Sequence, residues 1–353
     1  MKPSHDAVIV GQGTAGTTLA WHLLWRGWRV LVLDPNEPVT SSKIAAGLIT
    51  PITGKRIALS WRVDELLPAA REFYRRVESL TGTTFFFDQS AVRLFLTDDE
   101  RNRWEQKQDL PEIRRHLLAP QPNPLVNSAW FDASGGGFSM ATARLDVAAY
   151  LEASRRYFVA QHFLVTTSLA WEREVILTKE GAEIPRLGVS ARRLISCEGF
   201  AAASNPFFRW IPFKAAKGEI LSLRIPQCTE TRSLHVGVWL APLGNGDFRA
   251  GSTYDWDHLD QQPTAAGRNE ILTKLSTFVK QPVEVTGHRA AVRPIIRESK
   301  ALLGQHPAHP TLGFFNGLGS KGSLHAPGFA RQFAAFLDGA GDIDADLDVQ
   351  KNN

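Results

Sequence analysis

Four apolar residues, Ala7-Val8-Ile9-Val10, run directly into Gly11-Gln12-Gly13-Thr14-Ala15-Gly16 and then into an apolar stretch from Thr17 to Trp25. The first run suits a strand buried on both faces, and the last predicts a helix that Gly27 ends. Arg29-Val30-Leu31-Val32-Leu33-Asp34 reads as a second buried strand. Strand, helix and strand fit one βαβ unit, with parallel strands and a right-handed crossover. The chain therefore opens as an α/β fold. The glycines have separate tasks. Gly11 allows a tight turn, Gly13 lets backbone approach a pyrophosphate, and Gly16 lets helix pack on strand. The N–H groups at Thr14 and Ala15 sit at the positive end of the helix dipole. Asp34 ends the second strand, where a ribose-binding acid belongs. This context predicts a dinucleotide site, without distinguishing FAD from NAD.

Downstream the period changes repeatedly. Leu66, Ala70, Phe73 and Val77 predict a helix over 62–80, and Val92, Leu94 and Leu96 alternate as a strand. A break rich in Pro and Gly covers 119–137, and a helix is expected over 145–158 with Asp146 near its N-terminus. Arg193–Ser196 reads as a strand leading into Cys197-Glu198-Gly199. Leu221, Leu223 and Ile225 alternate with polar residues, and Val236, Val238 and Leu240 alternate too, as antiparallel strands with one solvated face do. A helix over 265–279 and a strand at 283–285 follow. A glycine-rich run from Gly313 to Gly322 leads to a helix near Pro327 that buries Phe329, Phe333 and Phe336, and the acidic tail is expected to fray.

This order predicts an α/β fold, α+β overall. A doubly wound, Rossmann-type domain (1–82, 138–213 and 288–340) is interleaved with an antiparallel-sheet domain (83–137 and 214–287), and 341–353 form a tail. Composition agrees with a globular chain: 43% hydrophobic, 22% charged, and a net charge of only +4 over 353 residues. So weak a basic bias makes nucleic acid an unexpected partner. Cys197 and Cys228 cannot make a disulfide framework or a CxxC zinc site. No secretory leader and no apolar stretch of membrane-spanning length is evident, so a cytoplasmic location is expected. Thr53-Gly54-Lys55 lacks the first glycine of a P-loop, no GxSxG elbow occurs, and His306, His309 and His325 lack metal-ligand spacing, so no metal is expected.

Four later segments carry a family resemblance. They are Ser41-Ser42-Lys43-Ile44-Ala45-Ala46-Gly47-Leu48, Gly251-Ser252-Thr253-Tyr254-Asp255, Val292-Arg293-Pro294 with Leu302-Leu303-Gly304, and Gly317-Leu318-Gly319-Ser320-Lys321-Gly322 with Ala326-Pro327. In order and spacing the chain resembles the FAD-dependent D-amino acid oxidase and glycine oxidase superfamily from Val8 to Leu337. The resemblance implies FAD held by Gly11, Gly13, Thr14, Ala15, Gly16, Asp34, Ser42, Ala46, Gly47, Leu48, Gly199, Gly317, Gly319, Ser320, Lys321 and Gly322. With no cysteine after Cys228, it implies a non-covalent flavin. It also implies substrate contacts from Arg293, Tyr254 and Lys321, Arg293 being the residue that holds a substrate carboxylate in glycine-oxidase-like relatives. A guanidinium suits that task because its rigid fork binds carboxylate bidentately. The bland reading of Arg293 is an ion pair with Glu298, that of Lys321 a solvated turn lysine, and that of Trp239, Tyr254 and Trp256 simple core packing. Asp34 stands where glutamate is usual, Glu298 where aspartate is common, Ala301 where proline is common and Lys321 where arginine is frequent.

The implied activity is oxidation of the C–N bond of an amine or amino acid, with hydride transfer to flavin N5 and oxygen or another acceptor taking the electrons. The flavin carries the chemistry, so no catalytic acid-base pair is assigned. Three alternatives stand beside it. The chain is also similar to the FAD-binding half of the bacterial bifunctional enzyme that modifies tRNA wobble uridine. A non-catalytic flavin-binding protein would keep the same loops. An NAD-dependent dehydrogenase would use the same first βαβ unit but has no need of the late glycine loop.

Overall fold

The computed structural model describes residues 3–119, 125–296 and 299–351. Two eight-stranded sheets organise it. In the first, His5–Val10 lies between Val189–Ser196 and Val30–Leu33, parallel to both. Leu312–Asn316 continues the parallel run beyond Val189–Ser196, and Leu302–Gln305 closes that edge antiparallel. Ala7–Val10 are fully or nearly fully buried because both faces are covered. Ala7 and Ile9 pack with Leu19, Trp21 and Phe333 of two helices, Thr14–Trp25 and Gly322–Leu337, while Val8 and Val10 pack with Trp171, Phe208 and Ile211.

The second sheet runs in the spatial order Glu284–Arg293, Ala216–Arg224, Asp247–Gly251, Trp239–Gly244, Ser233–His235, Phe86–Leu94, Gly137–Leu145, Leu48–Ile49. Its pairings are antiparallel except that of Ser233–His235 with Phe86–Leu94. One face is dry: Val92, Leu94, Leu221, Leu223 and Phe248 pack with Ile271 and Leu275 of the helix Ala265–Leu275. The other face meets the segment after the second strand of the first sheet, where Ile44 packs on Ile220, Ala291 and Trp239.

Five expectations need correction. The strand Gly137–Leu145 was not anticipated, because its serine, threonine and small residues hide the alternation. Its pairing with Phe86–Leu94 puts 138–145 in the second sheet, and the strand Glu284–Arg293 does the same for 288–293, so two expected boundaries fall inside or at the start of strands of that sheet. Val236–Leu240 is not one strand: Gly237, at φ +66°, turns the chain between Ser233–His235 and Trp239–Gly244. Pro327 lies inside its helix, which begins at Gly322. The tail does not fray through its described part. Ile343, Leu347 and Val349 are buried, and Leu303 exchanges backbone hydrogen bonds with Leu347 and Val349 at 2.8 and 3.0 Å. Apolar residues spaced among the aspartates supply that docking. Among the described residues no helix is long and apolar enough to cross a membrane.

Candidate active site

The C-terminal ends of the parallel strands His5–Val10, Val189–Ser196 and Leu312–Asn316 lie side by side, the edge at which open α/β sheets bind ligands. Gly11 turns there at φ +102°, and a Cβ on it would stand 2.6 Å from the Cys197 carbonyl oxygen. A Cβ on Gly16 would stand 1.9 Å from the Gly11 carbonyl oxygen. Both positions therefore require glycine for the turn to close. The helix Thr14–Trp25 has no side-chain cap from Gly13 and no acid in its first turn, so its N–H groups beyond Thr14 remain available to an anion. Ser42 Oγ stands over that end, accepting from Thr14 N–H at 3.2 Å, and a Cβ on Gly13 would meet it at 3.2 Å.

Asp34 faces the same turn. Its Oδ2 accepts from Gln12 N–H at 2.8 Å, while Oδ1 accepts from Asn36 N–H at 2.8 Å and from Arg155 Nη1 at 3.0 Å. Each carboxylate oxygen offers two lone pairs, so Oδ1 is filled and Oδ2 keeps one for a ribose hydroxyl. Arg155 is buried and also donates to Gln12 Oε1 and Thr166 Oγ1. Sequence reasoning missed it. The available signal was an arginine on the apolar face of the helix Val147–Ala160, in register with Leu151 and Phe158.

The other expected loops reach this edge. Gly47, at φ +69°, presses so closely on Leu145 that a Cβ would lie 1.8 Å from its carbonyl oxygen, and Leu48 pairs with Arg144. Ala46 is half-buried beside them. Gly199, at φ +59°, accepts from Asn316 Nδ2 at 2.7 Å, which ties the Cys197–Gly199 turn to the C-terminal loop. Gly317 and Gly319 take φ of +80° and +55°, and Ser320 is exposed. The helix Gly322–Leu337 again begins without a side-chain cap or an acid. Its Gly322 lies by Thr14, where a Cβ would be 3.7 Å from Thr14 Cγ2. Two open helix N-termini thus adjoin, which suits the phosphates and the electron-rich edge of a flavin dinucleotide.

Lys321 is not a solvated turn lysine. Its Nζ donates to Ser60 Oγ at 2.6 Å and lies 3.4 Å from Thr53 Oγ1, and burial lowers its pKa. Arg293 is buried at the end of its strand. Nη1 donates to the Thr253 carbonyl at 3.1 Å and Nη2 to Ser252 Oγ at 2.6 Å. The guanidinium lies 4.3 Å from the Tyr254 ring centroid and crosses Gly218, where a Cβ would overlap it at 2.0 Å. Among the described residues no carboxylate lies within ion-pairing distance of it. Glu298, its bland partner, lies outside the described residues. Burial depresses the Arg293 pKa. Tyr254 and Trp256 are half-exposed and stack at 6.0 Å, and Trp239 packs on Ile44. Gly218, a strand glycine, was the missed clue that a large group crosses the sheet there. His306 and His309 pack on Phe208 and Phe207, away from this edge, and His325 against Trp61 and Phe329.

The family profile of "FAD dependent oxidoreductase" matches residues 6–336. Glycine oxidase of Bacillus licheniformis is 23% identical over 96% of this chain and 94% of its own length. The tRNA 5-methylaminomethyl-2-thiouridine biosynthesis bifunctional protein of Burkholderia mallei (strain SAVP1) is 25% identical over 78% of this chain, but over only 43% of its own length. The crystal structure of glycine oxidase from Geobacillus kaustophilus superposes with a TM-score of 0.77 at 17% identity, covering 96% of this chain and 95% of that one, and so shares the fold. The cradle of glycines, the two open helix ends and the free lone pair on Asp34 fit FAD, and by its sequence the chain belongs to the FAD dependent oxidoreductase family.

Proposed function

We propose that this enzyme oxidises the C–N bond of an amine or amino acid that carries a carboxylate, with Arg293 as the carboxylate anchor. One observation carries the reading: a buried guanidinium without a carboxylate partner among the described residues, on the sheet face that meets Ile44. A buried cation without a counter-charge is costly, and a substrate carboxylate supplies that charge. Thr253 and Ser252 each take one N–H, which fixes the fork and leaves further N–H groups for the substrate. Tyr254 stacks on the guanidinium plane and keeps it flat over Gly218.

FAD, when bound, supplies the two-electron sink for this oxidation. Gly11, Gly13, Thr14, Ala15, Gly16 and Ser42 would hold its pyrophosphate, and Asp34 its ribose. Ala46, Gly47, Leu48, Gly199, Gly317, Gly319, Ser320 and Gly322 would line the flavin. Lys321, fixed by Ser60, would place positive charge at the flavin edge or the substrate. The first sheet would carry the cofactor and the second would wall the substrate. The flavin would be non-covalent, since both cysteines are buried free thiols, which also suit a cytoplasmic location. Oxygen or another acceptor would take the electrons.

The test is the visible spectrum of the purified protein under anaerobic conditions, titrated with amino acids and secondary amines. Bleaching by carboxylated amines, and not by their decarboxylated counterparts, supports the reading. A flavin that no carboxylated amine reduces overturns it.

A further inference from the structure

Gly218 leaves its place on one face of the second sheet to the Arg293 guanidinium, so its neighbours Lys217 and Glu219 point to the opposite face, the one packed on the helix Ala265–Leu275. Both are charged, and both are buried, at 1% and 2% exposure. Each reaches the same loop, 252–264. Lys217 Nζ donates to Asp260 Oδ1 at 2.7 Å, and among the described residues Asp260 is the one carboxylate within ion-pairing distance of it. Glu219 Oε2 accepts from Thr264 N–H at 2.9 Å, and Oε1 accepts from Thr264 Oγ1 at 2.8 Å. Gly267, in the first turn of the helix, makes room for that carboxylate: a Cβ on it would lie 2.4 Å from Glu219 Cδ. His288 Nε2 stands 2.6 Å from Glu219 Oε2. The backbone of the same two residues holds the other end of the loop. Lys217 and Asp255 exchange hydrogen bonds at 2.7 and 3.0 Å, and Glu219 N–H donates to Thr253 Oγ1 at 3.0 Å. Three consecutive residues thus grip the loop at Thr253, Asp255, Asp260 and Thr264.

That loop carries the groups that set the Arg293 fork: Ser252 Oγ, the Thr253 carbonyl and the Tyr254 ring. Lifting it away would strand the Lys217 ammonium inside the protein without a counter-charge, which is costly, so the buried charge holds the loop down. We propose that Lys217 and Glu219 are positioning residues for the substrate anchor: from the far face of the sheet they hold the loop that fixes the Arg293 guanidinium. This rests on the reading of Arg293 given above and deepens it. Neither residue touches the face that Arg293 lies on, so both act through the loop alone.

The test uses the FAD-loaded full chain and steady-state kinetics on the carboxylated amine that reduces the flavin best. Lys217→Met removes the clasp and leaves no buried charge unpaired, because Asp260 is open to water. It is expected to raise KM by about threefold or more, with a smaller change in kcat and the same flavin content, and Lys217→Arg should recover most of the loss. Asp260→Ala should raise KM in the same way. Glu219→Gln, which keeps one acceptor for Thr264, should fall between Lys217→Met and the native protein. In an Arg293→Lys background Lys217→Met should add little, because the fork it sets is already gone. An unchanged KM in both Lys217→Met and Asp260→Ala overturns the proposal. So does an undiminished effect of Lys217→Met in the Arg293→Lys background, or a loss of flavin and kcat in step with the rise in KM. The two readings fail separately. A KM that rises in Arg293→Lys but not in the clasp variants sinks only the positioning role, whereas a KM unchanged in Arg293→Lys removes the anchor itself.

Discussion

The Tyr74 hydroxyl donates to the backbone carbonyl of Ser323 at 3.0 Å. That carbonyl is the one left without its helical partner, because Pro327, four residues on, has no N–H. The helix that opens at the cofactor edge thus keeps a proline in its interior by borrowing a donor from the helix Val63–Thr81. Tyr74 is fully buried, so Tyr74→Phe removes the donor without opening a cavity and is expected to cost about 1–3 kcal/mol. In a Pro327→Ala background the backbone N–H returns, and the same substitution should cost less. Urea denaturation of the four proteins in the cycle measures the difference.

Asp34 and Arg155 predict separable effects on stability and cofactor retention. Asp34→Ala strips the counter-charge from a buried guanidinium, at an expected cost of about 3 kcal/mol, and also removes the ribose acceptor. Adding Arg155→Met should recover much of the stability, because no charge is then left unpaired, yet leave FAD affinity low. Thermal denaturation reads the first quantity and FAD titration of the apoprotein the second. Equal recovery of both in the double variant would show that Asp34 serves the fold alone.

Arg293→Lys keeps the charge and loses the fork. The lysine cannot satisfy the Thr253 carbonyl, Ser252 and a substrate carboxylate in one plane. KM for a carboxylated amine is expected to rise by roughly tenfold or more, with a smaller change in kcat. Steady-state kinetics on the best substrate decides it, and an unchanged KM removes Arg293 from the substrate site.

Three histidines with a buried, unpartnered ring nitrogen predict an acid limit. Burial lowers His22 to about 3 and His235 and His325 to about 4, from an ordinary 6.5, with Arg93 adding to the effect on His235 and Lys321 on His325. The unfolded chain therefore binds protons that the fold refuses. Their contribution is complete above pH 6.5 and is lost as pH falls from 6.5 towards 4, at about 1.4 kcal/mol per histidine per pH unit. Asp6, held below its ordinary 3.8 chiefly by its hydrogen bond to Arg29, acts only beneath that window. Urea midpoints between pH 7 and 4.5 should drop steeply, and His22→Leu should make the slope shallower.

The nucleotide end of the site was legible in sequence because it is local. Gly11, Gly13, Gly16 and Asp34 act through backbone geometry and spacing within one βαβ unit, and a motif records both. The family resemblance extended that reading to the Ser42–Leu48 and Gly317–Gly322 segments. Arg155 was not legible, because its role depends on a helix more than a hundred residues from Asp34. Gly218 was visible as a letter but not as a requirement, since only the folded sheet brings Arg293 across it.

The sequence by itself determined that this chain builds a parallel α/β core around a dinucleotide fingerprint, because burial on both faces and glycine geometry leave little choice. Tertiary structure alone decided which strands share the second sheet, how the tail docks on Leu303, and which residues Arg293 lies across. Those outcomes arise from pairings between segments far apart in the chain. Side-chain period gives a strand its two faces, but only the partner and the register decide which face meets the site.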